Sequence, residues 1–468
     1  MNHYLFLLIF FSFGIFGVQS KSVGQKKSVN ILLMMADDLG YGDVGCYGSA
    51  AVETPNIDQL ANGGMKFVRF YAGSAVCSPS RASVLSGLFP LRMDIRQAFN
   101  DKDDAHLPMQ ATIIPELLKG HGYFTSFIGK WHLGGISKKH IDHKESGNSF
   151  QIPGPLEQGF EHYLATIEGE PPRQSLIRNK TMYQESGKYL VRNDRRIPPI
   201  EKQWDEIKVD ETINVIGNCQ KSKKPFFIEL AFDAPHTPYE NAPAYHVDKY
   251  SRLGLEGDQL AHRSRISHLD EQVGRVFTFL KQSNLLENTI IIFTSDNGSI
   301  REGSSGPFKG AKTDLHEGGL RVPFIVYWQG NVLAGSNNFS IGHHVDILPT
   351  ICDIVGVDYT NLNIDGRSLA KALKNEYVNR TQTLLFQMDK YPAYQGHGKR
   401  PEPHITMAAI KGNWKLTSDM LESKELFHLG NDYQESNNLI GKYVDIETNL
   451  ENELINFWNH KRMSPYKK

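Results

Sequence analysis

Four apolar runs of this chain each end directly at polar side chains. They are VNILLMMA at 29–36, YFTSFIG at 123–129, FFIELAF at 226–232 and TIIIFTS at 289–295. Strands that are buried on both faces have continuous apolar sequences, as in parallel sheets. The pattern therefore predicts four buried strands whose carboxyl ends carry polar and charged groups.

Helical periodicity occupies the segments between and after these runs. Apolar residues recur at helical spacing from 261 to 281, and the segment 112–119 begins with Thr112 as an N-cap and stops before Gly120. The stretch 339–373, with HHVDILPTICDIVG, indicates a closing helix and a loop. Alternating strands and helices predict an α/β fold, in which ligands bind beyond the carboxyl ends of the strands.

Shorter elements follow residue 375. The segments ITMAAI at 405–410, NWKL at 413–416 and ELF at 425–427 predict strands. We therefore expect a catalytic α/β domain over residues 21–375 and a smaller C-terminal α+β subdomain over 376–468 that contains a short antiparallel sheet.

The N-terminal residues indicate export. An almost unbroken apolar run covers residues 5–18, shorter than the ~20 residues that cross a bilayer, and it fits a signal peptide over residues 1–20. The first four residues carry no Lys or Arg, which departs from that pattern. We expect a periplasmic protein, with secretion as the alternative, and no membrane span in the mature chain.

Charge and cysteine content exclude other classes. With 51 Lys and Arg against 52 Asp and Glu, the net charge of −1 argues against a nucleic-acid partner. Four cysteines are too few for a disulfide scaffold, and no pair has CxxC spacing, so a zinc site is unsupported. The cysteines are Cys46, Cys77, Cys219 and Cys352.

Two pairs of oxygen-bearing side chains follow predicted strands. Asp37 and Asp38 come after the first strand, and Asp296 and Asn297 after the fourth. Adjacent carboxylates repel each other unless a cation lies between them, and oxygen ligands suit Ca²⁺ or Mg²⁺. A single such pair is more often a helix cap or a solvated turn, but two pairs at matching strand ends favour a metal site.

Further reactive side chains fall at the same predicted edge. The segment CSPSR at 77–81 opens a helix, whose N-terminus can bind an anion, although a structural cysteine is the simpler alternative. Several cations and two proton carriers together are what the hydrolysis of a charged ester requires. These groups are Lys130, His132, His236 and Lys312.

A family resemblance emerges from these motifs in combination. The chain resembles the formylglycine-dependent (type I) sulfatases of the alkaline phosphatase superfamily, from about residue 29 to residue 440. The resemblance implies an alkaline-phosphatase-like, mixed but mostly parallel sheet flanked by helices. The motifs that carry it are NILLMMADDLGYGDVGCYG, TPNIDQLANGGMKFVRFYAGSAVCSPSRASVLSG, GKWHLG, APHTPY, FTSDNG, GAKTDLHEGGLRVP, HHVDILPTICDIVG, DGRSL and NWKL with ELFHLGNDYQESNNL.

The resemblance implies a modified nucleophile and a calcium ion. Cys77 matches the cysteine that a formylglycine-generating or sulfatase-maturating enzyme oxidises to formylglycine (3-oxoalanine), with Pro79 and Arg81 completing its signature. The modified residue would also contact Ca²⁺. The other calcium ligands implied by the match are Asp37, Asp38, Asp296 and Asn297.

The resemblance also implies roles for the remaining matched residues. Arg81 and Lys130 match groups that hold residue 77 as its hydrate, and His132 matches the base that later breaks down the sulfated form of residue 77. His236 and Lys312 match groups that bind the sulfate and protonate the leaving oxygen. One departure is alanine at position 311, where the family often has glycine.

The expected activity is hydrolysis of sulfate monoesters on a sulfated polysaccharide or oligosaccharide, such as the algal glycans ulvan or carrageenan. Alternatives are an arylsulfatase for small aromatic esters and a phosphomonoester or phosphonate hydrolase of the same superfamily. A sulfated-glycan binding protein without activity is the non-enzymatic alternative, which the intact metal and histidine set disfavours.

Other positions receive structural interpretations. Glu317 is expected to shape a turn and Arg321 to form a structural ion pair. Polar loops at 137–157 and 391–404 are either substrate-recognition loops or variable surface loops. The sequons at 179–181, 338–340 and 379–381 are interpreted as chance matches. Histidines expected at the surface are His143, His162, His262 and His397, whereas His343 and His344 are expected to be structural or rim residues.

Overall fold

The computed structural model describes residues 28–99, 104–147, 152–166, 190–198, 200, 202–237, 242–389, 406–419 and 423–460. Within them, the strands are β1 (Asn30–Asp37), β2 (Met65–Phe67), β3 (Phe70–Tyr71), β4 (Phe124–Gly129), β5 (His162–Thr166), β6 (Leu190–Arg192), β7 (Arg195–Arg196), β8 (Phe226–Pro235), β9 (Thr289–Ser295), β10 (Phe324–Tyr327), β11 (Ser336–Asn338), β12 (Gly342–His343), β13 (Leu384–Gln387), β14 (Met407–Lys411), β15 (Trp414–Ser418) and β16 (Lys424–His428).

The α-helices alternate with these strands. They are α1 (Pro55–Gly63), α2 (Cys77–Ser86), α3 (Ile114–Lys119), α4 (Lys138–Glu145), α5 (Trp204–Ser222), α6 (Ala244–Ser251), α7 (Gly257–Gln282), α8 (Glu317–Leu320), α9 (Ile347–Val355), α10 (Ala370–Leu373) and α11 (Val444–His460). No helix in these described ranges combines the length and the apolar character that crossing a membrane requires.

The main sheet has ten described strands in the order β11-β2-β10-β9-β1-β8-β4-β5-β6-β7. Its centre, from β9 to β5, is parallel, while β10 and β6 each run antiparallel to their neighbours. The four predicted strands are the adjacent strands β9, β1, β8 and β4. This confirms the mixed, mostly parallel sheet and brings the four polar strand ends to one edge.

The surroundings of strand β1 explain why its sequence is a continuous apolar run. Ile31, Leu33 and Met35 pack with residues of α2, α3 and α9, whereas Leu32 and Met34 face the opposite way, toward α1, α5 and α7. A strand with helices on both faces has no solvated side, so no polar alternation can appear in its sequence.

The C-terminal part contains the predicted antiparallel sheet, in the order β13-β14-β15-β16. Alternating side chains of β14 separate its two faces. Ala408 and Ile410 pack with Tyr71 and Phe89 of the preceding part of the chain, and Met407 and Ala409 pack with Leu450 of α11. This apolar contact holds the small sheet against the edge where the polar strand ends lie.

The predicted start of α3 and the predicted exposure of His262 were wrong. Helix α3 begins at Ile114 instead of Thr112, because the Glu116 carboxylate accepts a hydrogen bond from the Ile113 backbone N–H (2.9 Å) and caps the helix there. His262 is buried, since it lies four residues before Ile266 on the apolar face of α7.

Candidate active site

The carboxyl ends of β1 and β9 bring the two oxygen-bearing pairs together. Ala36 lies opposite Ser295 in the parallel ladder, so the residues that follow meet. The Asp38 backbone N–H donates to Asp296 Oδ1 (3.2 Å), and Asn297 Nδ2 donates to Asp38 Oδ1 (2.8 Å). All four side chains of these pairs are fully buried.

Cys77 is the first residue of helix α2 and faces this group. Its Sγ lies 3.6 Å from Asp37 Oδ1 and 3.7 Å from Lys130 Nζ. Burial raises the pKa of the Cys77 thiol to about 12, although Lys130 and Lys312 oppose this rise. A thiol that stays protonated is a poor nucleophile, so the unmodified side chain is not primed for attack.

Three cations neutralise the three carboxylates. Arg81 donates to Asp296 Oδ2 from Nε (3.0 Å) and Nη2 (2.8 Å), and from Nη1 to the Lys130 carbonyl (2.7 Å). Lys130 is hydrogen-bonded to Asp37, and Lys312 Nζ donates to Asp38 Oδ2 (2.8 Å). Buried charges of this kind are tolerated only when they are paired and hydrogen-bonded.

The carboxylates respond unequally to this environment. Burial raises the pKa of Asp37, but the nearby cations, Lys130 first, bring it well below its ordinary value. The pKa of Asp296 is raised to about 6 by burial and by the charge of Asp37, which together outweigh Arg81. The negative charge of the three carboxylates is therefore only just balanced by the positive charge of the protein's own cations.

The two predicted histidines follow two different strands, β4 and β8. His132 has a left-handed backbone (φ 57°), and its Nε2 is 2.9 Å from the Phe99 carbonyl. His236 Nε2 is 3.6 Å from Asp38 Oδ2. Burial and then Lys130 lower the pKa of both rings, that of His236 to about 4, which favours the neutral form of both rings near pH 7.

Lys312 is carried by a loop that is tied to both sides of the site. The Lys312 backbone N–H donates to the Ser299 carbonyl (2.7 Å), and the Thr313 N–H donates to the Ala75 carbonyl (2.8 Å). Gly298 permits the close approach of α8, which follows this loop, because a Cβ at Gly298 would lie 2.0 Å from the Gly318 carbonyl oxygen. The loop is thus fixed between the strand-end pair and the start of α2.

The donor set fits a hard cation. One ligand atom from each of Asp37, Asp38, Cys77 and His236 lies within 4.8 Å of the others. In the described part of the chain, Asn297 Oδ1 is buried and has no hydrogen-bond partner. Carboxylate and amide oxygens are the donors that Ca²⁺ prefers, and a cation would satisfy the orphaned amide oxygen.

The structure brings the ten predicted site residues together. Contacts below 4 Å link nine of them, and the tenth, His132, lies beside Lys130 within reach of its charge. The nine are Asp37, Asp38, Cys77, Arg81, Lys130, His236, Asp296, Asn297 and Lys312. The site is one cluster at the predicted edge of the sheet.

The structural interpretations of neighbouring residues are largely confirmed. Arg321 Nε pairs with Glu317 Oε2 (3.0 Å), and His344 Nδ1 is 2.9 Å from Ser80 Oγ in the core. Asn338 is buried and its amide donates to the Ala372 carbonyl (3.0 Å), in agreement with a chance sequon. His162 is largely buried against Glu211, contrary to expectation. His397, the loop 391–404 and the sequon 179–181 lie outside the described residues.

Sequence reasoning missed the groups that orient the site. The Phe99 carbonyl accepts a hydrogen bond from His132 Nε2, and the Phe99 N–H donates to Ser78 Oγ (2.9 Å), next to the nucleophile position. His316 and Glu425 join the loop of Lys312 to the small sheet. Backbone groups leave no signature in a sequence, and an ion pair between residues 109 positions apart has none either.

Comparison with protein families decides the identity. The model of the Sulfatase family matches residues 29–357, and that of the C-terminal region of N-sulphoglucosamine sulphohydrolase matches residues 309–460. The chain belongs to the sulfatase family. This sulfatase is therefore a sulfuric ester hydrolase, and the site described above lies within the matched residues.

Relatives and solved structures agree with this membership. The sulfatase is 29% identical to N-acetylgalactosamine-6-sulfatase of Canis lupus familiaris over 90% of this chain and 77% of the relative, and 32% identical to human arylsulfatase A over 78% and 71%. The crystal structure of Ps i-CgsB in complex with k-i-k-neocarrahexaose matches with a TM-score of 0.79 and 26% identity, covering 94% of each chain.

Proposed function

We propose that this sulfatase hydrolyses sulfate esters on carbohydrates through a formylglycine at position 77 and a bound Ca²⁺. The observation that carries the proposal is the position of Cys77 Sγ, 3.6 Å from Asp37 Oδ1 and 3.7 Å from Lys130 Nζ. A nucleophile formed there would lie between oxygen ligands for a cation and the ammonium groups that a sulfate needs.

The cations of the site are suited to a sulfate ester. Lys130 and Lys312 are 15% and 19% exposed, so both ammonium groups border the opening of the site and can contact a bound sulfate. Arg81 is buried behind residue 77 and holds Asp296 in place. Charges arranged in advance around a reacting group stabilise the charge that develops in the transition state.

Proton transfer would involve Lys312 and the two histidines. Lys312 is an ammonium group hydrogen-bonded to Asp38 and would donate a proton to the leaving oxygen. His236, whose Nε2 lies 3.6 Å from Asp38 Oδ2, would share this role in its protonated form, which the negative charge of a bound sulfate favours. His132 has its Nε2 at the Phe99 carbonyl, and among the described residues its buried Nδ1 has no hydrogen-bond partner. That ring atom would accept the proton of a hydroxyl on the modified residue 77.

The metal would be held by Asp37, Asp38, Asp296, Asn297 and the modified residue 77. When bound, Ca²⁺ supplies positive charge that polarises the sulfate and compensates the crowded carboxylates.

A sulfated carbohydrate is the proposed substrate class. The names of the relatives include an N-acetylgalactosamine-6-sulfatase, and the similar structure Ps i-CgsB was determined in complex with k-i-k-neocarrahexaose. An algal glycan such as carrageenan or ulvan is therefore the first specific candidate. The similarity to arylsulfatase A keeps small aromatic sulfates as the second candidate. We also propose export of the chain, guided by residues 1–20.

Mass analysis and sulfate release test the proposal together. Protein made with a maturating enzyme is digested with trypsin, and the peptide 70–81 is expected to have the mass of formylglycine in place of cysteine. The same protein is expected to release sulfate from members of a panel of sulfated oligosaccharides. An unmodified peptide in active enzyme, or faster hydrolysis of matched phosphate esters than of sulfate esters, would contradict the proposal.

Removal of Ca²⁺ is expected to destabilise the protein. Because Ca²⁺ would bind the folded state and not the unfolded chain, Ca²⁺ at ~100 times its Kd is expected to add about 2.7 kcal/mol to the free energy of unfolding. The melting temperature should therefore fall with a chelator and recover on adding Ca²⁺. An Asp38→Asn variant is the control, in which the response to Ca²⁺ should be strongly reduced. An equal response of the two proteins would contradict this calcium site.

A further inference from the structure

We infer that Glu425 of the C-terminal sheet is a positioning residue for the reaction, because its carboxylate clasps both ends of the loop that carries Lys312. This segment, residues 309–316, is called the Lys312 loop below. The inference rests on the proposed function, in which Lys312 acts on the sulfate and its leaving oxygen.

The clasp consists of two contacts from one carboxylate on β16. Glu425 Oε2 accepts a hydrogen bond from His316 Nε2 (3.0 Å), and Glu425 Oε1 lies 3.5 Å from Lys309 Nζ. Lys309 comes three residues before Lys312 and His316 four residues after it. The same carboxylate therefore holds the entry and the exit of the Lys312 loop.

His316 extends the clasp into the loop itself. Its Nδ1 lies 2.6 Å from Asp314 Oδ1, so the ring bridges Asp314 and Glu425. The ring is buried (7% exposed) and has a carboxylate on each nitrogen, an arrangement that holds it in one orientation. The chain of contacts thus runs from the sheet through Glu425 and His316 to a residue two positions from Lys312.

The clasp has a rigid base. Strand β16 pairs with β15 along its whole length, and Glu425 lies opposite Thr417. Strand β15 carries Lys415, which is fully buried between Glu317 Oε1 (3.1 Å) and Glu435 Oε1 (2.8 Å). The sheet is consequently fixed to Glu317, the residue that directly follows the Lys312 loop. The backbone of Glu425 is therefore held in a defined position.

Loss of the clasp would displace the Lys312 ammonium. Within the described chain, the backbone hydrogen bonds near Lys312 reach Ser299 and Ala75, and the Gly318 N–H donates to the Lys309 carbonyl (2.7 Å). Glu425 therefore adds a side-chain restraint at the two ends of the loop. A misplacement of about 1 Å can lower a rate by ~10²-fold. Protonation by an acid matters most for a poor leaving group. The rate of hydrolysis should therefore fall more for sugar sulfates than for nitrophenyl sulfate.

The test compares Glu425→Ala with Glu451→Ala in the full-length, modified protein. Glu451 on α11 is the matched control, because it also pairs with a lysine of β16, Lys424 Nζ at 2.9 Å, and contacts no residue of the Lys312 loop in the described structure. For Glu425→Ala we expect kcat on a sulfated monosaccharide to fall by about 10- to 100-fold. We expect kcat on 4-nitrophenyl sulfate to fall by a smaller factor, because that leaving group needs little protonation while Lys312 still acts on the sulfate. Glu425→Gln, which keeps one acceptor for His316, should be intermediate.

Hydrogen exchange provides a second readout that needs no activity. Peptides covering 309–316 should exchange faster in Glu425→Ala, whereas peptides of α2 and β9 should not change. Equal losses on both substrates, wild-type values on both, or unchanged exchange at 309–316 would each overturn the inference. If the proposed function is wrong, the unsubstituted enzyme will release no sulfate. The hydrogen-exchange comparison at 309–316 still tests in that case whether Glu425 restrains the Lys312 loop.

Discussion

A Cys77→Ser variant is expected to stop after at most one sulfate transfer per molecule and to lose roughly 10⁴-fold or more of its turnover. The hydrate of formylglycine offers two hydroxyls on one carbon, so one can attack sulfur while the other later expels sulfate. The introduced serine offers a single hydroxyl, and a sulfate transferred to it can leave only by attack of water.

Single-turnover kinetics check this expectation. Released alcohol and released sulfate are measured separately, and the variant should yield a small burst of alcohol without sulfate. Cys46→Ser is the matched control, since Cys46 is a free, half-buried thiol outside the site and its replacement should leave turnover unchanged. Sustained wild-type turnover by Cys77→Ser would refute the proposed nucleophile.

The central strands could be predicted from the sequence because burial on both faces leaves a long apolar run. Strand β9 has the predicted bounds, Thr289–Ser295, and β1 differs by one residue at each end. The edges could not be predicted in this way. Strand β10, with four residues, inserts antiparallel between β9 and β2, and so short a run contains no periodicity that could fix its direction.

The reacting groups of the site could be predicted from the sequence because most of them directly follow a strand or open a helix. Asp37 and Asp296 are examples, and the parallel register brings them together. The supporting groups were not accessible. Lys415 is fully buried between Glu317 and Glu435, yet its sequence context NWKL gives no sign of a partner 98 residues away. Such pairings depend on how the small sheet docks, which local patterns do not determine.

Replacing Arg81 by leucine is expected to destabilise the unmodified protein by about 3–5 kcal/mol in the absence of Ca²⁺. Arg81 is 1% exposed and supplies two hydrogen bonds to the Asp296 carboxylate. Its removal leaves three buried carboxylates with two ammonium groups. The pKa of Asp296, raised to about 6 by burial and by Asp37, would rise further and the carboxylate would lose its charge.

Thermal and chemical unfolding of protein made without a maturating enzyme separate this effect from catalysis. Arg275→Leu is the matched control, because Arg275 pairs with Asp210 at the surface and its loss should cost no more than about 1 kcal/mol. Added Ca²⁺ should stabilise Arg81→Leu more than the unsubstituted protein, since the ion compensates the charge that the guanidinium no longer balances. Equal stability losses in the two variants, or an equal response to Ca²⁺, would show that the carboxylates do not share one buried charge balance.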